Sequence, residues 1–270
     1  MGQSVFFFGN GTAEGTRDMT SVLGGKGANL AEMTNLGVPV PAGFTIACSE
    51  CIEFLNSGKY SDRLRAEVEG NVARLEKASG KKLGDPQNPL LVSVRSGAAI
   101  SMPGMMETIL NLGLNDRAVV ALAEQSKNAR FAYDSYRRFI QMYSSIVLGV
   151  SVHDFEHLLK AKKLTAGATT DAELGENDLR NLTEEYKALV RNRTGADFPR
   201  DPIVQLWGAI EAVWKSWTLK KAVDYRRVNG ISEKLGTGVN VVSMVFGNLG
   251  DDSGTGFAFT RDPSTGEKKF

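Results

Sequence analysis

Cysteine is scarce. The 270 residues hold two, Cys48 and Cys51. That is too few for a disulfide framework and fits a reducing compartment. An excess of charge of one sign is also missing: 32 basic side chains stand against 31 acidic ones, a formal net charge of +1 at pH 7. No strong field therefore favours nucleic acid or an acidic membrane surface. No apolar run reaches the length of a membrane span. The opening MGQSVFFFGNG has neither the basic start nor the apolar length of a signal peptide. The hydrophobic fraction of 42% and charged fraction of 23% are ordinary for a globular chain. The length suffices for a sizeable core and two or three domains.

What is there centres on residues 90–113, LLVSVRSGAAISMPGMMETILNLG. Leu90, Leu91, Val92, Ser93 and Val94 read as a buried strand. Arg95 follows as a cation at the strand end, where α/β proteins commonly hold ligands. Ser96, Gly97, Ala98 and Ala99 leave the backbone open. A loop from Ser101 to Met106 carries one rigid and one permissive residue, Pro103 and Gly104. A cation beside small residues and a covering loop suits an anionic ligand; a surface turn with an ion-paired arginine is the plain alternative.

A second glycine-rich element precedes it. Gly24-Gly25-Lys26-Gly27 leads into Ala28, Leu30, Ala31, Met33 and Leu36, a spacing that predicts a helix over 28–35 ended by Gly37. Glycines before a helix N-terminus leave free N–H groups suited to phosphate, and Lys26 adds a point charge. This is not a Walker A loop, because Gly27 stands where Ser or Thr would meet magnesium. Lys26 and Arg95 are expected to converge on one anion site. The rival is that each pairs with a local carboxylate.

Elsewhere the patterns are mostly structural. Strands are expected over 4–8 and 44–47, with short and charged helices over 49–55 and 61–78 and a turn-rich link over 84–89. Cys48 and Cys51 have redox spacing at a strand-to-helix step, but no other thioredoxin feature surrounds them, which leaves ordinary half-buried cysteines. From 115 to 227 the periods are helical. Asn115, Ser151, Asn177 and Asp201 are expected caps, with Pro202 at a first helical position. Aromatic residues from Phe131 to Tyr143 mark a buried face. His153 and His157 are four apart, but no third metal ligand is evident. A strand over 239–246, a turn at 247–254 and a strand over 256–260 read as a β-hairpin. Asp251 and Asp252 in that turn could take a cation, though turn-forming aspartates are the simpler reading. A second turn at 262–266 leads to Lys268 and Lys269, where a returning strand is expected to begin. A sheet stopping there would leave an open edge, as in a piece of something longer.

Four stretches together closely resemble the N-terminal nucleotide-binding region of the pyruvate, phosphate dikinases: LGGKGANLAEM at 23–33, GVPVPAGFTI at 37–46, VSVRSGAAISMPGMMETILNLGLND at 92–116 and VNVVSMVFGNLGDDSGTGFAFTRDPSTGEKK at 239–269. The likeness is weakest across 55–85 and 160–200. The phosphoenolpyruvate synthases share a GGK element and an Arg-Ser step but lack the SMPGMMET loop followed by NLGLND.

The resemblance implies an α/β ATP-grasp fold with a helical insertion. It implies a first subdomain over 1–113, the insertion over 114–200, a return helix over 201–238, and the start of an incomplete second subdomain over 239–270. It implies that Lys26 and Arg95 bind ATP phosphates, that Ser101, Met102, Pro103, Gly104 and Met105 close over them, and that backbone near Met244 and Val245 meets the adenine. The family passes the β-phosphoryl group of ATP to a histidine on a swivelling domain, and a further domain phosphorylates pyruvate. Neither His153 nor His157 has the carrier histidine's context. The family's acidic Mg2+ ligands lie beyond a position matching Phe270. The resemblance thus implies ATP and Mg2+ as cofactors of the whole enzyme, phosphohistidine and pyruvate/phosphoenolpyruvate domains as partners, a homodimer, a cytoplasmic location, and an isolated chain that is catalytically incomplete. The alternative is a truncated, non-catalytic paralogue serving binding or regulation.

Overall fold

Val5–Gly9 (β1) is apolar at every position but glycine, and both of its faces are covered. Alternate residues of a strand point to opposite faces. Phe6 packs with Leu23, Ala28 and Ala47 on one side, while Val5 and Phe7 join the main core on the other. The computed structural model, which describes residues 2–269, builds a mixed α and β fold on this division. After β1 come Thr12–Ala13 (β2), the helix Thr20–Asn35 (α1), Gly43–Ile46 (β3), and helices Cys48–Ser57 (α2) and Asp62–Ser79 (α3). Lys82–Leu83 (β4) and Pro89–Leu90 (β5) form a small parallel pair. Val92–Gly97 (β6) and Thr108–Leu112 (β7) follow.

The helical stretch then runs through Ala118–Ser126 (α4), Ala129–Ile146 (α5), Val152–Ala166 (α6), Glu176–Thr194 (α7), Pro202–Ser216 (α8) and Lys220–Val228 (α9), and the chain returns as Gly238–Ser243 (β8). The main sheet has the order β2-β1-β3-β8-β6-β7. Each pairing in it is antiparallel. The last strand in sequence thus sits between β3 and β6. α1 covers one face, and α2, α3 and α8 cover the other, where Phe54, Leu64, Val68, Ile210 and Trp214 are buried with Phe44, Val94 and Val241.

Several local expectations need correction. Arg95 is the fourth residue of β6, not its end, and it is the exposed one in an otherwise buried strand. The sheet is antiparallel, so the rule about carboxyl ends of parallel strands does not apply to it. The helix expected over 28–35 starts earlier, at Thr20, and is broken at Gly24, whose φ of 68° and ψ of 167° are not helical. Asn115 accepts from the N–H groups of Arg117 and Ala118 as expected. Ser151 flanks α6 without a side-chain cap bond: the Asp154 N–H donates to the Ser151 carbonyl instead, at 3.2 Å, and the Asp154 carboxylate pairs with Arg193. Gly175, not Asn177, precedes α7, and its N–H donates to the Asp178 carboxylate. No hairpin forms after Ser243: among the described residues no strand lies beyond it. Phe257 and Phe259 are 89% and 56% exposed and pack edge-on against each other, with no sheet beneath them. Strand residues without a partner ladder have nothing to hold them extended.

Candidate functional site

The register of the sheet sets a row of residues side by side on the face beneath α1. Phe6 lies opposite Thr45, Thr45 opposite Asn240, Asn240 opposite Arg95, and Arg95 opposite Thr108. One apolar residue and four polar ones therefore cross five strands. α1 approaches this row closely because Gly27 carries no side chain; a Cβ there would lie 2.7 Å from Thr45 Cγ2 and 3.1 Å from Asn240 Oδ1.

The break at Gly24 aims the rest of the helix. Its backbone conformation is open essentially to glycine alone, and a Cβ on it would fall 1.5 Å from the Gly97 carbonyl oxygen. The helix resumes at Gly25, whose N–H donates to Ala98 O at 2.9 Å. Lys26 then stands over the end of β6 and donates from Nζ to Ser96 O at 2.9 Å. Both glycine-rich elements, 23–27 and 96–99, thus lock together.

Burial lowers the pKa of Lys26, and the neighbouring positive charge of Arg95 lowers it further. Among the described residues neither Lys26 nor Arg95 makes an ion pair with a carboxylate. Two cations therefore face one region without neutralisation, an arrangement that favours an anion between them.

Two cavities meet at Lys26 and Asn29. One, of about 570 Å3, is bounded by Gly25, Ser96 and the loop from Ala98 to Gly104. The other, of about 510 Å3, is bounded by Arg95, Ser93 and Asn240 at its polar side and by Leu30, Met33, Pro41, Val242, Met244 and Val245 at its apolar side. The joint cleft is cationic and glycine-lined at one end and apolar at the other. It can accept a flat apolar group joined to a multivalent anion.

The sequence-derived residues distribute along this cleft. Lys26, Ser101, Met102, Pro103 and Gly104 border the first cavity; Lys26, Arg95, Met244 and Val245 border the second. Met105 borders neither; it is partly buried against the main core, and its N–H donates to Met102 O at 3.2 Å. Met102 is 7% exposed and is held in the core, so it anchors the loop. The Met244 N–H is committed to Leu91 O at 2.8 Å, which leaves its carbonyl and the Val245 backbone as the groups free to meet a ligand. Asn29 and Asn240 went unread in the sequence. Asn29 is three residues after Lys26 on the same helix, a spacing that shares a face.

The other candidates carry no site. Burial pushes the Cys48 thiol up to about 11 and the Cys51 thiol up to about 12. Both are free and buried, so neither is a poised thiolate. His153 and His157 are exposed on α6, and His153 meets Glu156. Asp251 and Asp252 are exposed in a turn. Among the described residues no cluster of three metal-ligating side chains occurs, and no helix is long and apolar enough to cross a membrane.

Comparison with known proteins gives the cleft a context. A family model described as pyruvate phosphate dikinase, AMP/ATP-binding domain, matches residues 20–81 and 59–270. The chain is 52% identical over 270 residues to a pyruvate, phosphate dikinase of Rhizobium meliloti (strain 1021), covering 100% of this chain and 30% of the relative. It is 53% identical over 257 residues to the Clostridium symbiosum enzyme of that name, covering 94% of this chain and 29% of the relative. It is 53% identical over 268 residues to that of Giardia intestinalis, covering 98% and 30%. The chain thus spans about 30% of the length of these relatives. The mixed α and β architecture is that of an ATP-grasp-type nucleotide-binding domain. With its cationic, glycine-lined cleft, the chain belongs to the AMP/ATP-binding domain family of the pyruvate, phosphate dikinases.

Proposed function

We propose that this chain holds ATP for a pyruvate, phosphate dikinase, with the triphosphate at the Lys26–Arg95 end of the cleft and the adenine against Met244 and Val245. The single observation that carries the reading is the pair of unneutralised cations at one end of a cavity whose other end is apolar. Phosphoryl transfer is mostly positioning and charge neutralisation. On this reading Lys26 and Arg95 supply neutralisation, and the loop over 101–104, anchored by Met102, excludes water from the phosphates.

The reaction of the whole enzyme would be ATP + pyruvate + phosphate to AMP + phosphoenolpyruvate + diphosphate, with a histidine elsewhere carrying the phosphoryl group between partners. On this reading neither His153 nor His157 is that carrier, because neither has the carrier motif around it. Mg2+ would normally accompany the triphosphate, but the cleft's described side chains provide cations, amides and hydroxyls and no carboxylate cluster. These residues do not fit the metal by themselves, and no step is assigned to it. The helical stretch over 114–200 reads as an insertion, because β6 before it and β8 after it pair directly. Two free, buried thiols fit a cytoplasmic setting.

The test is binding. Lys26→Ala and Arg95→Ala should each weaken ATP by about 1.5–3 kcal/mol, the range for hydrogen bonds to charged groups, while adenosine binds each variant as it binds the parent. Unchanged ATP affinity in both variants would remove this reading.

A further inference from the structure

One polar side chain stands where the two halves of the cleft meet and is bonded to nothing. Asn29 lies on α1 one turn beyond Lys26, is exposed, and borders both cavities. Among the described residues only Lys26 shares that position. Other polar side chains of α1 are engaged. Lys26 donates to Ser96 O, Thr34 donates to Leu30 O, and Asn35 accepts from the Ala13 N–H and donates to Gly15 O. The Asn29 amide makes no hydrogen bond among the described residues and is accessible from the cleft.

Its place along α1 says what it can meet. Lys26, Asn29, Leu30 and Met33 follow one another down one wall of the second cavity, the spacing of a single helix face. At about 1.5 Å of rise per residue, Asn29 stands about 4.5 Å beyond Lys26, and Met33 about 10.5 Å beyond it. The wall thus passes from a cation through an amide to apolar side chains. A nucleotide has the same order: phosphates, then a sugar with two neighbouring hydroxyls, then a flat base. An amide suits the middle place because it both donates and accepts, as a hydroxyl does. Whichever way the amide is turned, one end can meet a hydroxyl, whereas a phosphate oxygen could accept only from the nitrogen. Being neutral, the amide does not repel the anion beside it, as a carboxylate in its place would.

We infer that Asn29 hydrogen-bonds the sugar hydroxyls of the nucleotide and so lets the cleft tell a ribonucleotide from one that lacks them. This rests on the nucleotide reading given above and deepens it, by adding the sugar to the groups that the site reads.

The experiment compares ATP with dideoxy-ATP, which has the same base and phosphates but neither sugar hydroxyl, on this chain and on Asn29→Ala. The site is exposed and alanine is the best helix former, so α1 keeps its structure in the variant. The parent should bind ATP about three- to ten-fold more tightly than dideoxy-ATP, the range of one neutral hydrogen bond. In Asn29→Ala that advantage should vanish, with ATP weakened to the level of dideoxy-ATP and dideoxy-ATP unchanged. A nitrogen-labelled parent gives a reading that needs no variant: the Asn29 side-chain amide signal should move further with ATP than with dideoxy-ATP. Equal weakening of the two nucleotides by Asn29→Ala would place the amide on the phosphates or the base and overturn the inference. Unchanged ATP affinity would make Asn29 a solvated side chain and overturn it as well. In both of these cases the nucleotide reading stands if Lys26→Ala weakens ATP. If the parent binds neither nucleotide at millimolar concentration, the inference and the nucleotide reading fall together.

Discussion

Gly24 rests against Gly97 so closely that a Cβ on Gly24 would lie 1.5 Å from the Gly97 carbonyl oxygen. This contact joins the start of the main part of α1 to the end of β6, and it places Lys26 within reach of Ser96 O. Gly24→Ala would add a side chain in a conformation with φ of 68° and force the two segments apart. Backbone strain and overpacking of this kind each cost about 1–3 kcal/mol. Urea unfolding should show a loss of about 4 kcal/mol. Gly58→Ala is the control: its φ is 70°, but nothing lies within 4 Å of the added carbon, so its cost is expected near ~1 kcal/mol. Equal losses in the two variants would contradict the contact.

ATP binding should take up a proton. Burial, and then the charge of Arg95, lower the pKa of Lys26 below that of an ordinary lysine. A bound phosphate stabilises the ammonium and raises its pKa again. Between the two values the complex holds a proton that the free chain lacks. Affinity therefore falls as pH rises through that window. For folding the sign is the reverse: the unfolded chain holds the proton longer than the native one, so the contribution of Lys26 to stability rises with pH there. Calorimetry in buffers of different ionisation heat measures the uptake, and Lys26→Met should abolish it. Proton release on binding would refute the assignment.

The helical stretch is expected to depend on one buried ion network. Arg137, 2% exposed, bonds Asp134 at 2.7 Å and Asp171 at 2.8 Å, and Lys163 meets Asp171 at 3.0 Å. Removing Arg137 leaves the nearly buried Asp134 carboxylate with only the exposed Arg138 as a partner, while Asp171 keeps Lys163. Arg137→Ala should cost about 3 kcal/mol by chemical denaturation. The double variant Asp134→Leu, Arg137→Met should recover much of that loss, since an apolar replacement leaves no stranded charge. A loss below ~1 kcal/mol in the single variant would mean that the network acts like an exposed pair.

The two thiols should be silent in the native chain. With Cys48 pushed up to about 11, only ~0.1% of it is thiolate at pH 8, and Cys51, at about 12, holds still less. A thiol-exchange reagent should titrate neither thiol in buffer and both in denaturant. Prompt modification of either thiol in the folded chain would show that burial does not govern its reactivity.

Much of this was legible in the residues. The apolar runs of β1 and β3 and two of the four expected caps marked elements correctly: Asn115 Oδ1 accepts from the Ala118 N–H at 2.9 Å, and Asp201 Oδ1 from the Ile203 N–H at 2.7 Å. These signals are local, since a period or a cap depends on neighbours three or four residues away. The motif glycines pointed to Lys26 and Arg95 for the same reason. What the sequence could not supply was pairing. Nothing near Asn240 tells that β8 inserts between β3 and β6, because strand order depends on contacts between distant segments. The same non-local order made the sheet antiparallel, left Phe257 and Phe259 without a partner strand, and set Thr45, Asn240 and Arg95 in one row. The residue types were fixed by the chain itself; that these three lie side by side under Gly27 was decided only by the sheet.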